Sequence, residues 1–310
     1  MSDALKGLYF FSRFAYPFSA LGYRQKRMFF KDRPIDFRDQ QWLVTGASGG
    51  IGRAIAVDAT AHGAAVTAVA RSPEKLSQLV ADAGENILPR PTELSLASEV
   101  DGLLDELATW PSGATIDVLV NNVGVLLNEH QLSQDGHELS FATNLLNHCR
   151  LTQGLIDRGL LAEDAIVINM SSGGMYNVPL KIDQLNILDP DNYDGVLAYA
   201  YQKRAQVVLN SWWRKQHADK DWHFYVMHPG WVDTEGVKTS LPGFRALFQH
   251  VLRDAPAGAD TAIWLASARP QQNDRGAIWF DRKEQSAHLG KATRRNSDSA
   301  EALVEFLSSL

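Results

Sequence analysis

The stretch QWLVTGASGGIG, residues 41–52, decides the fold, because it joins an apolar run of strand length to a glycine-rich turn. The residues that follow, RAIAVDATAHG, have helical periodicity, so a strand, a turn and a helix are predicted in succession. Glycines at 46, 50 and 52 let the backbone approach a pyrophosphate, and the start of the helix offers free N–H groups to it. Any tight turn can use glycine, but a position after the first strand favours dinucleotide binding.

Apolar runs of strand length alternate with helical segments along the rest of the chain. The runs lie at 41–45, 64–70, 115–122, 164–171, 222–228 and 276–280. They predict an α/β fold with a mainly parallel sheet of about seven strands and helices on both faces. We expect one doubly wound Rossmann-type domain over 41–285, with a substrate loop at 231–257. Residues 1–40 are then an arm, and 286–310 a tail whose short helix Ser297 or Ser299 could cap.

The composition is that of an ordinary soluble globular protein. Of the 310 residues 45% are apolar and 21% charged, and the net charge of −6 argues against nucleic-acid binding. The single cysteine, Cys149, lies in a helical pattern and is expected to be buried and inert. No apolar run reaches the roughly 20 residues of a membrane-spanning helix, and no secretory signal is recognisable. These features predict a cytoplasmic protein.

The arm leaves two interpretations open. Its residues 5–30, LKGLYFFSRFAYPFSALGYRQKRMFF, carry many aromatic side chains spaced by Lys and Arg. They could pack on the domain, or they could rest on a bilayer with the rings down and the basic groups toward the headgroups. Pro17 and Gly22 are expected to break any long amphipathic helix, which favours packing. Peripheral membrane contact through residues 1–30 stays as the alternative.

The end of the second strand bears on the choice of dinucleotide. Sites selective for NAD usually place an acidic residue there, which accepts hydrogen bonds from the ribose 2′-hydroxyl. Here Ala70 stands in that place and Arg71 follows it. A guanidinium suits a 2′-phosphate, and no carboxylate would repel that phosphate. The sequence therefore predicts NADP(H) rather than NAD(H), although Arg71 could also be a plain surface charge.

A second chemical feature is the spacing of a tyrosine and a lysine in LAYAYQKRAQ, residues 197–206. At about 3.6 residues per helical turn, Tyr199 and Lys203 share one face, whereas Tyr201 points to the other side. An ammonium close to a phenol favours the phenolate and lowers its pKa. Such a tyrosine could exchange a proton with the oxygen of a carbonyl or an alcohol during hydride transfer. We therefore expect Tyr199 to be reactive and Tyr201 to be a packing residue.

The motifs, taken in order, resemble those of the short-chain dehydrogenases/reductases. They are TGASGGIG (45–52), NNVG (121–124), Ser171–Ser172, the Tyr199–Lys203 pair and HPG (228–230). The resemblance covers about residues 41–282. Five further stretches resemble a narrower group within the family. They are SSGGM, YAYQKRAQVVL, HPGWVDTEGV, GADTAIWLA and FDRK, and the likeness to this group extends to the arm.

The resemblance implies roles that spacing alone leaves open. Ser172 would hold the substrate oxygen beside Tyr199, and Asn144 would hold a water that links Lys203 to solvent. Lys203 would also bond the nicotinamide ribose, and Ser171 would only shape the turn. The implied cofactor residues are Gly46, Ser48, Gly50, Ile51, Gly52, Arg71, Glu93, Leu94, Asn121, Val123, Gly124, Tyr199, Lys203, Pro229, Gly230, Val232 and Thr234.

Two departures from the family pattern lie in the adenosine half of the expected cofactor site. Val123 replaces the usual alanine of NNAG, and Glu93–Leu94 replaces the usual pair of an aspartate and a hydrophobic residue. Each changes bulk or chain length without removing a polar contact. The resemblance also implies a homodimer or homotetramer, paired through helices at about 137–158 and 197–217.

The segment from Glu235 to Pro256 has apolar residues with the spacing of an amphipathic lid, which could also simply dock on the core. If it lines the site, the substrate is a lipophilic carbonyl or alcohol. His228 and His250 are not spaced as metal ligands. The leading hypothesis is an NADP(H)-dependent oxidoreductase. The alternatives are a catalytically silent NADP(H)-binding regulator and a peripheral membrane module on the same fold.

Overall fold

The computed structural model describes residues 12–31, 33–111, 114–273, 277–294 and 296–310. The first eleven residues of the predicted arm lie outside the described part of the chain. Within that part, eight strands form one sheet in the order β3-β2-β1-β4-β5-β6-β7-β8. The strands are β1 (Gln41–Thr45), β2 (Ala65–Ala70), β3 (Ile87–Pro91), β4 (Ile116–Asn121), β5 (Leu161–Met170), β6 (His223–Met227), β7 (Ala277–Phe280) and β8 (Lys283–Ser286).

The first seven strands are parallel, and β8 pairs with β7 as an antiparallel hairpin. The prediction of a mainly parallel sheet of about seven strands is therefore confirmed. β1 lies between β2 and β4, with Thr45 opposite Val69 and Val44 opposite Val120. The strand order reverses here, and ligands of such sheets bind outside the carboxyl ends of strands at this point.

Helices cover both faces of the sheet. They are α1 (Ala20–Arg27), α2 (Gly50–Ala61), α3 (Pro73–Ala83), α4 (Ala97–Ala108), α5 (Asn147–Asp157), α6 (Gly195–Gln216), α7 (Glu235–Ser240), α8 (Pro242–Phe248), α9 (Ala255–Ala268) and α10 (Ala300–Ser308). Side chains alternate between the faces of each strand, so Trp42 and Val44 join one core cluster and Leu43 joins the other. Among the described helices none is long and apolar enough to cross a membrane.

Two strands were not among the predicted runs. β3 has the sequence ILPRP and lies at the edge of the sheet, where proline is tolerated because one side of the strand needs no hydrogen bonds. β8, KEQS, is a polar edge strand. Neither strand has the apolar pattern of a buried one, so hydrophobicity could not reveal them.

The arm forms a helical segment at 12–18, a break at Ser19, and then α1. The expected break therefore occurs, but Gly22 is not its cause, because it lies inside α1. A Cβ at Gly22 would come 2.2 Å from the carbonyl oxygen of Tyr16, so glycine permits close contact between the two helical segments. The inner side chains Phe14, Phe18 and Tyr23 are buried.

The tail ends in the expected short helix. Ser299, rather than Ser297, caps α10 by accepting a hydrogen bond from the N–H of Ala302. Leu303 and Leu307 of α10 are buried in the core cluster that also contains residues of α4, α5 and α6.

Candidate active site

A cavity of about 420 Å³ opens at the carboxyl ends of the strands, between the turn after β1, the start of α6 and the α7–α8 segment. Its wall is mainly apolar. The described residues that line it include no Asp, Glu, Lys, Arg or His. The polar side chains in the wall belong to Ser171, Ser172, Asn177, Tyr199, Thr234 and Ser240. Of the two alternatives for the segment after Glu235, lining the site agrees with this wall, because Val237, Leu241 and Phe244 form part of it.

The glycine turn has the geometry that a close-lying phosphate group needs. Gly46 and Gly50 have φ angles of +66° and +52°, which side-chain-bearing residues rarely adopt. A Cβ at Gly52 would lie 2.3 Å from the carbonyl oxygen of Gly46, so glycine is required there as well. Gly49 precedes α2 and offers no side chain to cap it. The first N–H groups of α2 therefore have no side-chain acceptor, and they fit a pyrophosphate.

Thr45 fastens this turn to the segment after β4. Its Oγ1 accepts hydrogen bonds from the N–H groups of Asn122 (2.9 Å) and Val123 (3.0 Å). The side chain of Asn122 donates to the carbonyl oxygen of Thr45 at 2.8 Å. Asn121, in contrast, is fully buried, and its amide donates to Thr152 and Asn169. The side chain of Asn122 therefore closes the turn, and the role of Asn121 as a cofactor residue stays a prediction.

The residues expected near the adenosine half of the cofactor differ from one another in exposure and in their contacts. Arg71 is exposed directly after β2, and its side chain makes no hydrogen bond or ion pair within the described part of the chain. Glu93 accepts a hydrogen bond from the N–H of Ser95 at 3.1 Å. Leu94 is buried in the core, and its carbonyl oxygen accepts from Asn147 at 3.0 Å. The side chain of Leu94 therefore packs under the site.

Tyr199, Ser172 and Lys203 are brought together at the base of the cavity. Ser172 begins a short 3₁₀ turn after β5, where its Oγ accepts from the N–H of Gly174 at 3.4 Å. Ser172 and Tyr199 both line the cavity, and the hydroxyl of Ser172 is near enough to the phenol to influence its pKa. Lys203 is buried, its Nζ donates to the carbonyl oxygen of Met170 at 2.8 Å, and it lies 5.5 Å from the Tyr199 ring centroid. Ser171 donates to the carbonyl oxygen of Lys203 at 2.9 Å, which agrees with its expected structural role.

Burial shifts both titrating groups toward their neutral forms. It raises the pKa of Tyr199 to about 12, although the nearby hydroxyl of Ser172 acts in the opposite direction. It lowers the pKa of Lys203 to about 7. The expected lowering of the Tyr199 pKa is therefore not met in this structure. The reason is that burial of the phenol dominates its pKa, while Nζ of Lys203 donates to the carbonyl oxygen of Met170 instead of the phenol.

Asn144 lies in a π-helical turn, Ala142–Leu146, that leads into α5. Its Oδ1 accepts from the N–H of Val125 at 2.7 Å, and its amide donates to the carbonyl oxygen of Val125 and to Gln202 at 2.8 Å each. Its carbonyl oxygen accepts from Gln206 at 2.7 Å. The side chain thus fixes the loop after β4, and the proton relay stays a prediction.

Sequence reasoning missed the buried polar residues that support these groups. His148 lies between Thr45 Oγ1 and the carbonyl oxygen of Asn144, 3.2 Å from each, and burial lowers its pKa to about 3. Gln202 also donates to the buried carboxylate of Glu138 at 3.1 Å. Gln202 and Gln206 lie on either side of Lys203 along α6, three and seven residues after Tyr199. This helical spacing was the signal in the sequence that could have identified them as neighbours of the site.

The segment after β6 closes the site. Pro229, Gly230, Val232 and Thr234 all line the cavity, and their contacts with a cofactor stay a prediction. A Cβ at Gly50 would lie 3.4 Å from Cγ2 of Thr234, so this threonine reaches the glycine turn. Within the described chain no cluster of His, Cys, Asp and Glu could hold a metal.

Lys203→Met should make the stability of the protein less dependent on pH. With the Lys203 pKa lowered from 10.5 to about 7, the unfolded chain binds a proton that the folded chain lacks between these pH values. The free energy of unfolding should therefore rise with pH in this window, by at most about 1.4 kcal/mol per pH unit from this residue. Urea unfolding from pH 7 to 9 measures the slope. The exposed control Lys220→Met should keep the wild-type slope, and an unchanged slope in Lys203→Met would contradict the low pKa.

Known proteins are similar to this chain in sequence and in fold. The family model for short chain dehydrogenase matches residues 40–181. Over 290 residues the chain is 36% identical to dehydrogenase/reductase SDR family member 12 of Bos taurus, which covers 90% of this chain and 88% of the relative. It is 28% identical to retinol dehydrogenase 13 of Mus musculus, over 77% of this chain and 74% of that protein.

A crystal structure of a Burkholderia cenocepacia short chain dehydrogenase in complex with NADP has the same fold, with a TM-score of 0.60. It is 21% identical to this chain and covers 74% of it and 91% of its own length. The motifs SSGGM and FDRK resemble those of a narrower group within the family, SDR family member 12 and its relatives. The bovine protein is a member of this group, so the predicted resemblance is confirmed. With more than a third of its residues shared across nearly the whole length of that relative, the chain belongs to the short-chain dehydrogenase/reductase family.

Proposed function

We propose that the protein is an NADP(H)-dependent oxidoreductase that interconverts a lipophilic carbonyl compound and its alcohol. The observation that supports this most is the position of Ser172 and Tyr199. Both line a cavity whose described wall is otherwise mostly apolar, and Nζ of Lys203 lies 5.5 Å from the Tyr199 ring centroid. A cavity of this kind orients a substrate through one oxygen and holds the rest of it by apolar contact.

The proposed chemistry needs a proton donor at the substrate oxygen. When bound, NADPH supplies the hydride. Ser172 would donate a hydrogen bond to the carbonyl oxygen, and Tyr199, with its pKa raised to about 12, would be protonated and ready to give its proton as alkoxide character develops. Lys203 has its pKa lowered to about 7, so it can exchange protons with solvent near neutral pH. A negative charge on Tyr199 would favour the protonated ammonium.

Two observations support NADP(H) over NAD(H). No acidic residue stands at the end of β2, and the exposed Arg71 guanidinium has no carboxylate partner within the described chain. Arginine binds phosphate through two parallel hydrogen bonds, so it would favour the 2′-phosphate. The Burkholderia relative was crystallised with NADP.

The lipophilic substrate follows from the wall of the cavity. Leu126, Val178, Trp231, Val237 and Phe244 line it, and a charged substrate would lose its hydration there without gaining an ionic partner. The relative named retinol dehydrogenase 13 is named for an apolar alcohol, which is consistent with this class of substrate.

Tyr199→Phe should abolish carbonyl reduction while NADPH binding survives, because it removes only the hydroxyl that would donate the proton. The matched control is Tyr201→Phe, the same change two residues along α6, on a side chain that packs against the core. Turnover with NADPH and titration of NADPH fluorescence measure the two effects. Tyr201→Phe should behave as the wild type in both. Unchanged turnover in Tyr199→Phe would rule out the proposed acid.

A catalytically silent NADP(H)-binding regulator is the alternative. Such a protein would need the glycine turn but would have no use for the buried lysine behind the phenol. Burying an amine without a carboxylate partner costs stability, so the complete set of Ser172, Tyr199 and Lys203 favours catalysis.

Peripheral membrane contact is a second candidate function, and the outer face of the arm favours it. We define this face by Tyr16, Leu21, Met28 and Phe29, whose side chains are 53%, 52%, 74% and 79% exposed. Residues 1–33 contain seven Lys and Arg against two Asp, although the whole chain has a net charge of −6. Exposed rings and aliphatic groups among basic residues suit an anionic bilayer. The inner face of the arm packs on the domain, so packing and membrane contact are compatible.

Met28→Asp together with Phe29→Asp should weaken co-sedimentation with vesicles containing phosphatidylserine at least about ten-fold, because apolar burial and attraction are both lost. The control is Leu132→Asp with Leu188→Asp, two leucines that are 51% and 55% exposed elsewhere on the surface. The control pair should sediment like the wild type. Equal partitioning of the two double variants would contradict membrane contact through the arm.

A homodimer or homotetramer stays a proposal drawn from the family. Pairing would use the exposed sides of α5 and α6. Because α10 packs on α6 in this chain, it would also lie at or next to such an interface.

A further inference from the structure

The stretch FDRK, residues 280–283, forms a hairpin turn that the proposed reaction leaves unexplained. Asp281 and Arg282 link β7 to β8, and their φ angles of 49° and 58° are left-handed, which is uncommon for residues other than glycine. Both side chains form ion pairs. Asp281 binds Arg253, and Arg282 binds Asp260 through Nε (2.9 Å) and Nη2 (2.6 Å). Residues held in a sparsely populated conformation often mark a functional constraint.

The Arg253–Asp281 pair is almost completely buried, with side chains 1% and 2% exposed. Arg253 donates from Nη1 to Oδ1 of Asp281 (2.5 Å) and from Nη2 to Oδ2 (3.0 Å). Its remaining contacts reach the arm, because Nη2 donates to the carbonyl oxygen of Pro17 (2.7 Å) and Nε to that of Phe18 (2.9 Å). Lys26 of α1 adds a second bond to Asp281 at 2.7 Å. The guanidinium therefore joins the hairpin to the arm, over 230 residues away in sequence.

The same guanidinium lies directly under the turn that lines the cavity. A Cβ at Gly230, whose φ is +79°, would come 2.5 Å from Nε of Arg253 and 2.9 Å from the carbonyl oxygen of Phe18. Trp231 donates its N–H to that oxygen at 3.0 Å, and its own carbonyl oxygen accepts from the N–H of Arg253 at 2.7 Å. The N–H of Asp233 donates to the carbonyl oxygen of Arg253 at 2.9 Å. The close approach of Arg253 and Phe18 thus requires glycine at position 230, whether or not a ligand binds in the cavity.

The ring of Phe18 supports a second part of the wall. A Cβ at Gly173 would lie 2.7 Å from this ring, so residue 173, which lines the cavity after Ser172, must be small. The ring also contacts His228 with a centroid distance of 4.5 Å, and burial holds the pKa of His228 well below its usual range. One arm residue therefore touches the segments after both β5 and β6.

We propose that Arg253 is a positioning residue, which fixes the backbone of residues 229–233 by joining it to the arm carbonyls of Pro17 and Phe18. The arm is then a structural part of the active site and not only an outer attachment. The inference rests on the proposed function in one respect, namely that residues 229–233 border the bound cofactor.

The experiment compares Arg253→Lys with Arg282→Lys in the full chain. Lysine keeps the charge opposite the carboxylate in both variants, but at position 253 three donors on one nitrogen would replace four hydrogen bonds that three guanidinium nitrogens make. Arg282→Lys breaks the neighbouring bidentate pair of the same turn without touching residues 229–233. Arg253→Lys should raise the NADPH dissociation constant about ten-fold, a loss of the size expected for charged hydrogen bonds. Amide exchange in a peptide spanning 229–233 should accelerate by a similar factor.

Arg282→Lys should leave both quantities within about two-fold of the wild type. The proposal is overturned if Arg253→Lys leaves exchange at 229–233 unchanged, or if both variants change it equally. Should Arg253→Lys fail to fold, Asp281→Asn is the substitute, because it weakens the hold on Arg253 and keeps the hydrogen-bond acceptor. Failure of the wild type to bind NADPH would overturn the proposed function instead, and the exchange comparison would still decide the role of Arg253.

Discussion

The hydrogen bonds of Thr45 at the reversal of strand order are the interaction on which the rest of the site depends. The hydroxyl fixes the turn after β4 to the glycine turn after β1, and it also contacts His148. His148 continues to the π-helical turn that holds Asn144, and Gln206 connects this turn to α6, which carries Lys203. One buried network thus links the expected cofactor turn to α6, which carries Tyr199 and Lys203. Most of its polar atoms are hydrogen-bonded within the network, whereas Oε1 of Gln206 is buried without a partner among the described residues.

Burial explains the electrostatic character of the site. The same apolar surroundings that would select a lipophilic substrate raise the pKa of Tyr199 and lower that of Lys203. The phenol is held in its neutral form, and the lysine titrates near neutral pH. In apolar surroundings a charge that develops beside either group interacts with it more strongly than it would in water.

The sequence predicted most of the sheet and the face of α6 that carries Tyr199, since both depend on local periodicity. It could not reveal β3, whose prolines hide an edge strand, or the choice between Asn121 and Asn122, which depends on the direction of one side chain. Arg253 gave no signal, because its partners Pro17, Phe18 and Asp281 are distant in sequence. Glycines 173 and 230 were visible, but the groups that require them to be glycine come from the arm and the lid, which only the fold brings together.

The two faces of the arm have different proposed roles. Its inner face packs behind the cavity wall, and its outer face is the candidate for membrane contact, so removing the whole arm would test neither role by itself. The central claim, reduction of a lipophilic carbonyl with NADPH, is tested most directly by following the oxidation of NADPH and of NADH across a panel of aldehydes and ketones. The account predicts turnover of apolar members with NADPH, weaker turnover with NADH, and none with carboxylate-bearing members. Tight binding of NADPH without turnover of any member would contradict it.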